Sequence, residues 1–259
     1  MARSEASPAR HVRRIPVRQP LAWLAAGWRD LRRVPGPSLL HGVFVTCGGW
    51  AIVAVTLRLW QLLPGALSGF VLVGSILATG LYELSRLLAA GVRPGLSDVL
   101  AAWRRGTRPL VWLGAGLGVA ATLWVALTAT LLGVFGHGQP QGLLDAVRLL
   151  VASESAALFP LWLMLGGLGA SVVFMVTVVS VPLLLDRHVS LPWAVRASVL
   201  AVAENPIAMG LWASLIMLAT ALSMASLMLG FLVAIPVIGH ATWHAYRDLI
   251  DADGLPRRP

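Results

Sequence analysis

PIAMGLWASLIMLATALSMASLMLGFLVAIPVIGHATWHAY (206–246) runs for 41 residues without a formal charge. At about 1.5 Å per helical residue it would extend about 60 Å, twice the roughly 30 Å hydrocarbon core of a bilayer. It therefore reads as two crossings with a turn near Leu229-Gly230, not as one. That choice sets the parity of the whole chain and so decides which side of a membrane each connection faces.

Working outward, the 259 residues are 58% hydrophobic and 12% charged. A soluble domain carries about 25% charged residues, so this chain has too few to cover a globule in water. Four further charge-free runs precede the first: Ser38–Leu57, Leu59–Tyr82, Pro109–Leu144 and Ser155–Leu185. The third ends in the turn-like FGHGQPQG (135–142) and so supplies one crossing and a loop. In the fourth, Pro160 and Pro182 should trim or bend the helix ends. The expected fold is all-α, with six transmembrane helices at about 39–57, 65–82, 109–135, 157–185, 206–228 and 230–246.

The basic residues test that count. All twenty are Arg. With the N-terminus inside, eighteen fall on the inner side and only Arg58 and Arg148 on the outer. Cytoplasmic segments carry such an excess, and an odd number of crossings would scramble it. Both termini are therefore expected in the cytoplasm of a bacterial cell, with the chain in its inner membrane. Residues 1–20 read as a disordered Arg-rich tail, 21–250 as one membrane domain, and 251–259 as a second tail. A net charge of +9 would suggest nucleic acid in a soluble protein. Here the Arg are spread over every inward segment, not gathered with aromatics in one module, so nucleic-acid binding is excluded. About 38 polar, Arg-rich residues precede the first apolar run, unlike a signal peptide. The single cysteine, Cys47, reads as a small buried hydrophobe.

The inward connections resemble one another. LAWLAAGWRDLRRVPGP (21–37) places Leu21, Leu24, Trp28 and Leu31 at helical spacing on one face, with Arg29, Arg32 and Arg33 on another. LSDVLAAWRRGTRP (96–109) repeats this with Val99, Leu100 and Trp103 beside Arg104, Arg105 and Arg108. LPWAVRASVLAVAENP (191–206) is a weaker version with Trp193, Val199 and Leu200. Each ends in a Pro that opens a span, where a missing N–H costs nothing. The pattern predicts three repeats of an amphipathic surface helix followed by a helical hairpin. Arg would face anionic lipid headgroups and Trp the acyl boundary.

RRIPVRQPLAWLAAGWRDLRR (13–33), LYELSRLLAAG (81–91), VSVPLLLDRHVSLPWAVRASVLAVAENP (179–206) and GHATWHAYRDLI (239–250) resemble a bacterial family of predicted integral membrane proteins. That family is known as a domain of unknown function. The resemblance runs from about residue 12 and leaves out 134–156. It implies a multi-pass inner-membrane protein and no particular activity.

Chemistry, if any, should gather at His240 and His244, which lie one turn apart on one helix face. Two neutral imidazoles so placed can bind zinc or copper given further ligands, and His41 could share their depth. A bis-histidine haem would need His41 with His240 or His244. The structural alternative is an interfacial anchor, in which His, Trp and Tyr mark a helix end at the membrane margin. Glu83 with Arg86, and Asp186 with Arg187, stand at span exits and read as boundary ion pairs. No ionisable group lies at a span midplane, where a coupled transporter usually carries one. Neither a nucleophile motif nor a phosphate-binding loop is present, so an enzyme is not expected. What remains is a scaffold or accessory membrane protein without a resident cofactor, with the lipid bilayer and a membrane-protein partner as its expected contacts. A metal- or haem-binding protein and a small permease are the alternatives.

Overall fold

The structure, a computed structural model, describes residues 7–56, 62, 65, 66, 69, 70, 78–104, 106–135 and 157–258. Regular structure among them is helical. In chain order the longer helices are α1 (Gln19–Arg33), α2 (Pro35–Thr56), α3 (Thr79–Ala89), α4 (Leu96–Arg104), α5 (Arg108–Phe135), α6 (Leu158–Thr177), α7 (Ser180–Asp186), α8 (Leu191–Glu204), α9 (Pro206–Ala225) and α10 (Phe231–Leu249). Four segments among the described residues are long and apolar enough to cross a bilayer: Pro35–Val55, Arg108–Phe135, Leu158–Asp186 and Pro206–Ala225. Half of the expected second span, 65–82, lies outside the described residues. The expected sixth forms as α10, but its histidines, Arg247 and Asp248 leave it less apolar than the four.

Helix boundaries follow local chemistry. The run 158–186 breaks between α6 and α7 at Val178-Val179, four residues before Pro182. A proline ring clashes with the carbonyl four residues back and offers it no N–H. Ser198 Oγ accepts the freed Val179 N–H at 3.1 Å. Between α9 and α10 the chain reverses at 226–230, where the sequence places the turn. Leu227 (φ 53°) and Met228 (φ 70°) adopt left-handed backbone there, which side chains beyond glycine rarely do. The turn is held by Met228 N–H on Ser223 O and by Gly230 N–H on Ser226 Oγ, at 2.8 and 2.9 Å.

The chain divides into two compact units, and α2, α5 and α6 contribute to both. The larger comprises residues 1–46, 75–113 and 174–259. At its centre lies α10, with α1 packed along it and α3 beside it. A Cβ at Gly27 would run into the backbone of Val237 and Ala241, so only glycine permits the observed approach of α1 to α10. Trp23, Tyr82, Trp193, Trp212, Trp243 and Tyr246 build the core of this unit. In the smaller unit Leu131, Leu132 and Leu158 form a separate cluster. There Gly166 lies against the ring of Trp124, and Trp162 donates to Thr128 Oγ1 at 3.3 Å.

Three expectations need correction. Residues 7–20 are not a disordered tail. Arg13 N–H donates to Leu249 O at 2.8 Å, Asp251 N–H donates to His11 O at 2.7 Å, and Arg14 is paired with Glu204 at 2.8 Å. Their partners lie about 190–240 residues along the chain, which is why a local reading saw only charge. The third surface helix, α8, is also not displayed like the first two. Trp193 is buried and meets His11 edge-on, so the repeat fails where the N-terminal segment covers the helix. Cys47 is exposed, on α2.

Candidate functional site

His240 and His244 of α10 belong to one hydrogen-bonded chain within the larger unit. His240 is fully buried, and both of its ring nitrogens are engaged by serines. Nε2 lies 2.9 Å from Ser38 Oγ on α2, and Nδ1 lies 2.7 Å from Ser85 Oγ on α3. Ser85 donates to Asp30 Oδ2 on α1 at 2.8 Å, and His244 Nε2 meets the same oxygen at 2.8 Å. Asp30 is 5% exposed. Its buried carboxylate needs such partners, because an unpaired charge there would be costly. Burial pushes the Asp30 carboxyl up. The hydrogen bonds from His244 and Ser85, with the field of both imidazoles, pull harder, and it lies below its ordinary value of 3.8.

Two proton arrangements satisfy this geometry. Ser38 Oγ also lies 2.7 Å from Val34 O. If Ser38 donates to that carbonyl, His240 must donate from both nitrogens, and it is a cation balanced by Asp30 through Ser85. If Ser38 turns its proton to Nε2, the same heavy atoms hold a neutral His240. The heavy atoms from the 31%-exposed His244 side chain to the buried Ser38 keep the same positions in both arrangements. A nucleophilic role for Ser38 has no support, since its hydroxyl is fully buried.

His41 stands apart from this chain. Its Nδ1–H donates to Pro37 O at 2.8 Å, and its ring meets Trp103 edge-on at 5.6 Å. Nε2 is buried without a hydrogen-bond partner. It faces Gly80, where a Cβ would overlap the imidazole. A metal held by His41, His240 and His244 would need three lone pairs aimed at one point. Both nitrogens of His240 are taken up by serines, His244 aims at Asp30, and His41 faces Gly80. Among the described residues no three His, Cys, Asp or Glu side chains group as a metal site. The trio also fails as paired axial ligands for haem through His240. The three do not fit one shared metal, and His240 does not fit a haem.

The remaining residues expected at a site lie on the surface. Trp28, Arg29, Arg32 and Arg33 are exposed on α1, and Trp103 and Arg104 on α4. Arg105 lies outside the described residues. The faces differ from the expected ones, however. On α1, Trp23, Ala26, Gly27, Asp30 and Leu31 are buried against protein, so Leu31 does not share a free face with Trp28. Both expected boundary pairs form: Arg86 grips Glu83 through two nitrogens at 2.7 and 2.8 Å, and Arg187 Nε reaches Asp186 at 2.9 Å. Asp186 also accepts from Tyr246 at 2.7 Å.

Asp30, Ser38 and Ser85 were not legible as partners of the histidines. One signal was available. Asp30 is the single acid in an Arg-rich helix and sits on the buried side of its own periodicity, where an acid is tolerated only with partners.

With four helices able to cross a bilayer, the chain is an integral membrane protein. Residues 62–186 match the family model DUF2189, described as a predicted integral membrane protein. The match covers just under half of the chain and runs through 134–156, the stretch left out of the sequence resemblance. It stops short of GHATWHAYRDLI, so that motif lies outside the matched segment. No curated protein and no solved structure matches the chain.

Proposed function

We propose that this chain is a non-enzymatic, multi-pass accessory protein of the bacterial cytoplasmic membrane whose inner-side helices hold the anionic leaflet. In this reading six helices cross with both ends inside, and α10 is the sixth. The observation that carries the proposal is the outer face of α1. Trp28 is 47% exposed there beside exposed Arg29, Arg32 and Arg33, and the opposite face is locked onto α10. The second helix, α4, offers Leu100, Trp103 and Arg104 in the same way. Each basic residue close to an anionic surface contributes about 1 kcal/mol, so these four Arg together supply about 4 kcal/mol. The polar chain around His240 supports the same reading, because its groups satisfy one another and tie α1, α2, α3 and α10 into a rigid mount.

Lipid retained through purification in an uncharged detergent provides the test. Mass spectrometry should find anionic phospholipid enriched over its share of the membrane, and Arg29→Gln/Arg32→Gln/Arg33→Gln should abolish most of that enrichment. A wild-type protein that retains lipids in membrane proportions would refute the proposal.

A further inference from the structure

The larger unit holds a cavity of about 200 Å³ that the surface helices do not explain. It is smaller than the roughly 300–1,000 Å³ of drug-sized sites. Three cationic or titratable side chains reach it from separate segments: Arg86 from α3, His188 after α7, and Arg258 from the C-terminal segment. That last segment is held in place. His188 N–H donates to Pro256 O at 2.8 Å, Arg258 N–H to Asp186 O at 3.0 Å, and Arg187 Nη1 to Leu255 O at 2.8 Å.

The carboxylates in the wall are already neutralised. Glu83 takes two bonds from Arg86, and Asp186 Oδ2 takes Arg187 Nε and the Tyr246 hydroxyl. The cations retain donors. Arg258 commits Nε to Arg187 O at 2.9 Å and has no carboxylate partner among the described residues. Burial pushes its guanidinium below the ordinary value. Arg86 commits Nε and Nη2 to Glu83, which leaves Nη1. The lining also includes the apolar Leu110 and Leu185 and the side chain of Thr107. Leu110 opens the Arg108–Phe135 span and Leu185 closes the Leu158–Asp186 span. The cavity thus lies at the ends of two apolar spans and is lined by both cations and leucines.

The geometry points to a binding site for a phosphate-ester anion, with Arg258 and Arg86 as the charged ligands and His188 and Thr107 as further donors. An anion there pairs Arg258, which among the described residues of the cavity wall has no carboxylate partner, and guanidinium recognises phosphate through paired N–H donors. The phosphate can belong to a lipid headgroup, whose glycerol end would meet Leu110 and Leu185, or be free in solution. The site is separate from the Trp28 face and does not depend on it.

Calorimetric titration of the full chain in maltoside micelles tests this, using dioctanoyl phosphatidic acid, inorganic phosphate, and dioctanoylglycerol as the uncharged control. Saturable binding of phosphatidic acid that phosphate does not displace assigns a lipid headgroup. Binding of phosphate with equal affinity assigns the free anion. In either case Arg258→Gln should weaken binding about tenfold, the loss expected for a charge-assisted contact. His188→Gln, at an exposed position, should weaken it less and guards against a folding defect in the first variant. Arg29→Gln/Arg32→Gln/Arg33→Gln should leave this affinity unchanged, which separates the site from the leaflet contact. No saturable binding of either anion, or full affinity in both Arg258→Gln and His188→Gln, overturns the inference.

Discussion

α9 and α10 come from one charge-free run and have nearly equal lengths, yet they meet opposite surroundings. α9 shows Ile207, Met217, Leu218 and Leu222 outward, each more than half exposed, as a lipid-facing helix should. α10 buries His240, Ala241, Trp243, Ala245, Tyr246 and Leu249 almost completely. Its neighbours are protein on several sides: α1 along a glycine contact, α3 through Ser85, α2 through Ser38. The comparison teaches that a lack of charge has two causes in a membrane protein. One helix lacks charge because lipid surrounds it. The other lacks it because packed protein surrounds it, and there polar side chains are admitted if each has a partner.

That contrast can be broken most severely at the helix contact. Gly27→Val places a side chain into the Val237 and Ala241 backbone and should cost about 3 kcal/mol, read as a lower unfolding midpoint in detergent. A midpoint within error of wild type would mean that α1 does not seat on α10 this closely. The next largest effect should follow His240→Ala, which removes the bond between Ser38 and Ser85 and leaves a cavity, at about 2 kcal/mol. The matched truncation on α9, Leu218→Ala, should stay within about 0.5 kcal/mol. Equal losses at the two positions would erase the distinction between the helices.

The smallest effect sharpens the electrostatic side. Asp30 is held below its ordinary value of 3.8. Its contribution is therefore complete above that value and disappears as pH falls through the lower, folded value. Unfolding midpoints followed from pH 7 down to about 3 should drop at the acid end in wild type. Asp30→Asn should lower the plateau by about 1 kcal/mol and flatten that drop. An unaltered acid limb in the variant would show that Asp30 is not the titrating group.

Legibility in the sequence followed the range of the interaction. The α9–α10 turn, the single crossing at 109–135 and the Glu83–Arg86 and Asp186–Arg187 pairs depend on residues close in the chain, and all appear where periodicity and charge place them. The break at Val178 follows from a proline four residues on. The exposed Trp28 and Trp103 also match, but Trp193 does not, because the segment covering it lies nearly two hundred residues upstream. The histidines stand out in the sequence, but their partners do not. Ser38 and His240 are 202 residues apart, and Asp30 and His244 are 214 apart. Serine in an apolar helix commonly bonds its own backbone, as Ser171 does with Gly167 O at 2.7 Å, so nothing in the chain marked Ser38 and Ser85 as different.

By itself, the sequence determined that this chain is helical, that it enters a membrane, and where the turn between α9 and α10 falls. Those properties follow from transfer of each segment between water and hydrocarbon, which depends on the segment alone. Tertiary structure alone decided which of these two helices lies inside, which tryptophans remain outside, and that His240 is bonded by serines. A buried hydrogen bond depends on two groups meeting at under 3 Å, and only the packing of distant helices brings them there.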